Sequence, residues 1–206
     1  MHQWFGKRYD LQILGFEAGS EHIADARSEL ADLDEVRLDH VALVGPDDDS
    51  NEVRLYIHEV AFRGQKENKG KGDSLFSTRS DKYEVVPACR LSQVLKDGGY
   101  SLDEMPVILR MNIEGAEQYV IEDLVRAGLH TSIDGYYGMW DDVGKIDPKA
   151  DEHFRELLRA SGITNITFND RDLPYKLRRL AIRSDIETSI RRGLLRVRGR
   201  DAGVGH

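Results

Sequence analysis

The chain has 206 residues, 40% of them hydrophobic and 32% charged, a length suited to one hydrophobic core and enough apolar material to exclude global disorder. The formal net charge of −8 disfavours general affinity for nucleic acid, which is bound largely by releasing counterions to Lys and Arg. A lone Cys89 has no partner for an internal disulfide. No apolar run reaches the roughly 20 residues that span a bilayer, and Met1 to Arg8 lacks a signal-peptide stretch, so a cytoplasmic protein is expected.

In chain order, Leu11 to Ala18 (LQILGFEA) reads as a buried parallel strand closed by Glu17 and entering the loop Gly19-Ser20. Ser20 is placed to cap a helix over residues 21–30. Val36 to Val44 (VRLDHVALV) is strand-like, and the turn signal Gly45 to Asn51 precedes a second alternating run, residues 52–62. Gly64 to Gly72 has no apolar side chain and is expected to be a loop or insertion. Tyr83 to Leu91 (YEVVPACRL) contains Pro87, whose missing amide argues for an edge strand or a strand end.

A short helix is expected from Ser92. Pro106 to Ile113 (PVILRMNI) is the run that best fits a central strand, and Glu114-Gly115-Ala116-Glu117 turns it into a helix stopped by Gly128. Thr131 to Trp140 reads as a strand running into a loop. Asp147-Pro148 opens an amphipathic helix, and Ile163 to Phe168 is a last strand. Alternating strands and helices predict an α/β fold with a mostly parallel sheet covered on both faces.

In such sheets ligands lie beyond the carboxyl ends of the strands. Glu17 is therefore a candidate to accept hydrogen bonds from the ribose hydroxyls of a nucleoside cofactor; the alternative is an acid that only complements a helix N-terminus. Asn112 and Glu114, two apart, share a side if the strand persists, and Gly115 lets the backbone turn tightly beside a ligand. The alternative for Glu114 and Glu117 is again the positive end of the following helix.

These segments resemble the FkbM family of methyltransferases. Its hallmark is a strand ending in an Asp-X-Glu-Gly-Ala-Glu type motif, matched here by Asn112, Glu114, Gly115 and Glu117 with Arg110 upstream. Phe16-Glu17 is similar to the family's aromatic-Glu pair, Val41 to Gly45 (VALVG) to another of its segments, and Val85 to Leu95 to the stretch before its motif strand. The resemblance covers roughly Leu11 to Phe168. It implies a class I, Rossmann-like methyltransferase domain over residues 1–173, followed by a basic C-terminal helix and tail over 174–206. It also implies S-adenosylmethionine as cofactor, held by Glu17, Ala18, Val41, Ala42 and Asn112. The acceptor class it implies is a hydroxyl of a glycan, glycolipid or secondary metabolite.

Two departures accompany the resemblance. Asn112 stands where many members have Asp, and an amide serves neither as a base nor as a negative ligand to a cation. The family's glycine-rich loop and its first strand have no counterpart, so the expectation is a domain incomplete at its N-terminus, lacking the central strand between the Glu17 and Asn112 strands. His2 to Asp10 resembles the end of the helix after that loop. For deprotonating an acceptor, Glu114 is the first candidate, with Asp134 and His58 behind it. A non-catalytic domain, serving as a scaffold or surface-binding module, is the alternative function.

His22, His130 and His153 show no ligand spacing, and no metal site is expected. Tyr136, Tyr137 and Trp140 either line a substrate pocket or pack. Pro174 to Arg200 holds nine Lys and Arg against two acids, a local charge of +7 that leaves −15 for the rest. A solvated helix packed on the acidic body is expected there. An anionic membrane or glycolipid surface is the second reading and nucleic acid the last, because no aromatic interleaving accompanies the charge.

Overall fold

The computed structural model describes residues 5–57, 59–60, 68–69, 74–76, 81–113, 115–138, 148–168 and 173–203. It is a mixed α/β structure with short, mostly parallel sheets and helices. The chain divides into two compact units, residues 1–44 with 49–89 and residues 45–48 with 90–206.

In the first unit, β1 (Ile13–Glu17) pairs in parallel with β2 (Val36–His40), Ile13 opposite Val36 and Glu17 opposite His40. Helix α1 (Ser20–Glu29) connects them and buries Ile23, the parallel crossover that the alternating pattern implies. Upstream, Phe5 to Tyr9 closes one helical turn, with Tyr9 N–H donating to the Phe5 carbonyl at 2.9 Å.

The run 36–44, expected as one strand, is two. After His40 the chain leaves β2, and β3 (Ala42–Leu43) pairs instead with β7 (Tyr83–Cys89). On its other side β7 pairs antiparallel with β4 (Glu52–Tyr56). Ala42, Leu55 and Val86 are buried together as the core of this sheet. Strands β5 (Glu59–Val60) and β6 (Asn68–Lys69) form a separate antiparallel pair. Two residues of the expected loop 64–72 are thus paired, and the rest of that segment lies outside the described residues.

Pro87 was expected on an edge strand or at a strand end; β7 is the middle strand of its sheet, but over residues 83–87 it pairs with β4 alone, so the proline sits at a local edge. The reason is register. Ala88 N–H donates to the Asn51 carbonyl at 2.8 Å, so the antiparallel ladder to β4 uses alternate residues of β7 and skips Pro87, which faces Glu52. The proline nitrogen points the other way, one residue before pairing with β3 begins at Ala88.

The second unit holds a parallel sheet in the order β10-β9-β8: β8 (Ile108–Met111), β9 (Gly135–Gly138) and β10 (Ile166–Phe168). The strand expected to be central, β8, is at the edge among the described pairings, and the middle place belongs to β9. Helices α2 (Leu91–Asp97), α3 (Glu117–Arg126) and α4 (Pro148–Ala160) alternate with the strands. Val120, Ile121 and Leu124 on α3, Tyr136 on β9 and Phe154 on α4 are almost wholly buried. Helix α3 ends before Gly128, whose φ of 73° is the left-handed conformation that closes a helix without a Cβ clash.

The long helix α5 (Tyr175–Gly203) completes this unit. Ile186, Ser189 and Ile190 are buried on its inner face. Gly193 lets it approach closely: a Cβ there would lie 2.7 Å from the Pro106 side chain and 2.6 Å from an Asp134 oxygen.

Candidate functional site

The first unit brings three of the expected cofactor residues to one place. The Glu17 carbonyl accepts the Val41 N–H at 3.0 Å, extending the β1–β2 pairing past its last register pair. This puts Glu17, Ala18 and Val41 at the carboxyl ends of two parallel strands. Among the described residues the Glu17 carboxylate accepts one hydrogen bond, from Gly19 N–H to Oε1 at 2.8 Å. The Ala18 carbonyl lies 2.9 Å from His40 Nε2. Gly19 is buried, and a Cβ added there would stand 3.0 Å from the His22 ring and 3.3 Å from Glu17 Oε1. Ala42 follows directly, but its side chain is buried in the core with Leu55 and Val86, against which Ala18 also packs, so only the Ala42 backbone is at hand for a ligand.

At the start of α1, Ser20 donates its N–H to Glu84 Oε1 at 3.1 Å and its hydroxyl to Glu84 Oε2 at 2.6 Å. Ser20 was expected to cap the helix with its own oxygen. Instead Glu84, on β7, supplies the negative charge at the helix N-terminus. Residues 64 apart make this bond, and no local signal marks it.

In the second unit, Asn112 is exposed directly after β8. Glu114 and its expected base role lie outside the described residues. Glu117, by contrast, is fully buried at the start of α3. Its Oε1 accepts Ile113 N–H at 3.1 Å and its Oε2 accepts Gly115 N–H at 2.8 Å. Gly115 has φ of 100°, which lets the chain fold back over that carboxylate. Glu117 therefore does more than complement a helix end: it ties the strand–helix turn together through two backbone amides.

Asp134, the second candidate base, is bound from two sides. Val107 N–H donates to Oδ2 at 2.9 Å, while Arg196 donates Nε to Oδ1 at 3.0 Å and Nη2 to Oδ2 at 2.9 Å. The side chains are 7% and 18% exposed, so the pair is largely withdrawn from water. Arg196 Nη2 also reaches the carbonyls of Met105 at 2.9 Å and Leu102 at 3.3 Å. The hydrogen bonds that Arg196 donates to Asp134 raise the Arg196 pKa further. The geometry gives Asp134 an anchoring role, fixing α5 to the sheet.

Tyr136 and Tyr137 pack. The Tyr136 hydroxyl donates to the His130 carbonyl at 3.0 Å, and the Tyr137 hydroxyl lies 2.8 Å from Ser189 Oγ on α5. Burial pushes both phenols above their ordinary pKa, and the Ser189 hydrogen bond opposes the rise at Tyr137. Trp140 and His58 lie outside the described residues. Among the described residues no group of three or more His, Cys, Asp or Glu could hold a metal.

Two polar clusters in this unit had no sequence signature. Asp123, 3% exposed, accepts Ser92 N–H at 2.7 Å and the Ser92 hydroxyl at 2.6 Å, capping α2 from α3. Arg126 grips Asp47 with two bonds of 2.6 and 2.9 Å and also reaches Glu122. With Arg90 donating to the Pro46 carbonyl at 3.3 Å, this ties the turn 45–48 to α3. Comparison of the chain with protein-family models, with curated proteins and with solved structures finds no match.

Proposed function

We propose that the chain is an S-adenosylmethionine-dependent methyltransferase of the FkbM type, acting in the cytoplasm on a hydroxyl of a glycan, glycolipid or secondary metabolite. One observation carries the reading: Glu17, Ala18 and Val41 meet at the carboxyl ends of β1 and β2, joined by the Val41–Glu17 backbone bond. That is where parallel α/β sheets take nucleosides. The parallel pairings of β1 with β2 and of β8 with β9 and β10, interleaved with helices, support a Rossmann-like class.

A carboxylate offers about four lone-pair sites. Glu17 gives one of them to Gly19 and has acceptor capacity left for both ribose hydroxyls. When bound, the cofactor supplies a sulfonium methyl for displacement by the acceptor oxygen. Asn112 and Glu114 are assigned to the reacting end by the resemblance alone.

Calorimetric titration with S-adenosylmethionine tests this. A saturable heat is expected, with affinity reduced about tenfold, roughly 1.4 kcal/mol, by Glu17→Ala and less by Glu17→Gln. Absence of saturable binding, or equal affinity of the alanine variant, rejects the ribose role. A second reading, a methyltransferase-like scaffold without transfer, is favoured by Asn112, an amide that takes no proton, and by the engagement of Asp134 with Arg196. Saturable binding without transfer of labelled methyl to any extract component would support it.

A further inference from the structure

The outer face of α5 is built unlike the rest of the surface. Leu177, Leu180, Ser184, Thr188, Arg191 and Leu195 follow one another at spacings of three and four, and all are exposed, so they form one stripe along the helix. Arg198 continues it. The three leucines are 53%, 57% and 68% exposed, and they are half of the six large apolar side chains that stand out to solvent among the described residues. The opposite face is the one that packs, through Ile186, Ser189 and Ile190. The stripe is therefore not the unfinished inner face of a helix already docked.

Charge accompanies these leucines. Arg191, Arg192 and Arg198 are exposed along or beside the stripe and Arg179 on another side of the helix; among its described side chains Asp185 is the exposed acid. Glu187 is bound to Arg191 at 2.9 Å. The segment from Pro174 to Arg200 carries +7 in a chain of net charge −8; Arg196 is spent inward on Asp134, and the charge that remains draws an anionic partner to this helix and away from the acidic remainder.

We propose that the outer face of α5 docks on an anionic lipid surface, its arginines on the headgroups and Leu177, Leu180 and Leu195 in the headgroup–acyl boundary. Leu177 and Leu195 stand about 27 Å apart along a straight helix, a geometry suited to a flat surface. Leu177 and Leu180 are neighbours one turn apart and Leu195 stands alone, with arginines beside them. Three side chains spread this far fall short of the contiguous apolar centre of a protein–protein interface, and leucines flanked by arginines along one line suit a helix lying in a membrane interface. No helix among the described residues is long and apolar enough to cross a membrane, so the contact is peripheral.

The test is co-sedimentation of the full chain with vesicles of phosphatidylcholine alone or with phosphatidylserine added. Binding is expected only with the anionic lipid. It should fall at least fivefold in the triple variant Leu177→Ser, Leu180→Ser, Leu195→Ser and in the double variant Arg192→Gln, Arg198→Gln, with unchanged circular dichroism in both. The double variant keeps Arg196 and so keeps the anchor of the helix. No binding to either vesicle, equal binding to both, or retention by the leucine variant each overturns the proposal. So does a polynucleotide gel shift at the same protein concentration without vesicle binding, or a dimer in sedimentation velocity that dissolves when the leucines are replaced.

Discussion

Glu17 is the last residue of β1 and Glu117 the first of α3, so each borders a strand-to-helix turn, one before it and one after, and their carboxylates are used differently. Glu117 is wholly buried and both of its oxygens accept backbone amides of the turn that precedes it. Glu17 is only half-buried and accepts one amide, two residues away, through one oxygen. The difference lies in the turn. Gly115, at φ 100°, brings two amides back over the Glu117 carboxylate, whereas the chain after Glu17 enters its helix with Gly19 in ordinary extended backbone. An acid bordering such a turn is available to a ligand to the extent that the turn leaves it unsatisfied.

The strongest test of that contrast removes the buried carboxylate. Glu117→Ala leaves the Ile113 and Gly115 amides without their acceptor and opens a cavity, at a cost of about 3–5 kcal/mol. Urea denaturation should show the midpoint falling accordingly, and melting should drop by roughly 10 °C for a chain of this size. Glu17→Ala, which removes one local and partly solvated bond, should cost less than about 1 kcal/mol while weakening cofactor binding. A Glu117→Ala variant as stable as Glu17→Ala would erase the distinction between the two turns.

Next in size is the acid at the amino end of β9. Asp134 and Arg196 are mostly withdrawn from water, and removing one partner strands the other. Asp134→Ala should cost about 3 kcal/mol, and Arg196→Met should cost a comparable amount by freeing α5 from the sheet. A double-mutant cycle in urea would measure the coupling; near-additive effects would mean that the two side chains hold the helix independently.

Much of the element order was legible from periodicity. The short apolar runs at 13–17 and 108–111 and the amphipathic helix opened by Pro148 stand where the pattern placed them. Gly128 stops its helix for the reason a glycine usually does. What the pattern could not reveal is which strand lies beside which. Hydrophobicity shows that β8 is buried but not that β9 takes the middle of its sheet, and Pro87 marks a local edge but not that β7 goes on to pair with β3 beyond it.

The site divides along the same line. The place of Glu17 at the end of β1 was readable from the apolar run that precedes it. The roles of Asp134 and Asp123 were not, because Arg196 is 62 residues from the one and Ser92 is 31 from the other. The Asn112 to Glu117 motif marked the turn between β8 and α3, but the burial of Glu117 was not visible in it. That depends on how α3 packs, and residue types at a fixed spacing do not encode it.

The smallest expected effect is at Asp47, an acid bound by a side chain in water. Its two bonds come from Arg126, and the side chains are 78% and 50% exposed. The hydrogen bond from Arg126 holds the Asp47 carboxyl below its ordinary value near 3.8, with a desolvation effect in the opposite direction and charge attraction adding to the bond. A folded pKa below the unfolded one means that the contribution is present above the ordinary carboxylate range and is lost as pH falls through the folded value. Exposure and salt keep it minor. A carbon-13 titration should place the Asp47 midpoint below that of a free aspartate, and Arg126→Met or high salt should return it. A midpoint for Asp47 that is ordinary and indifferent to both changes would mean the turn at 45–48 is held without this pair, leaving the Arg90 bond to the Pro46 carbonyl as its tie.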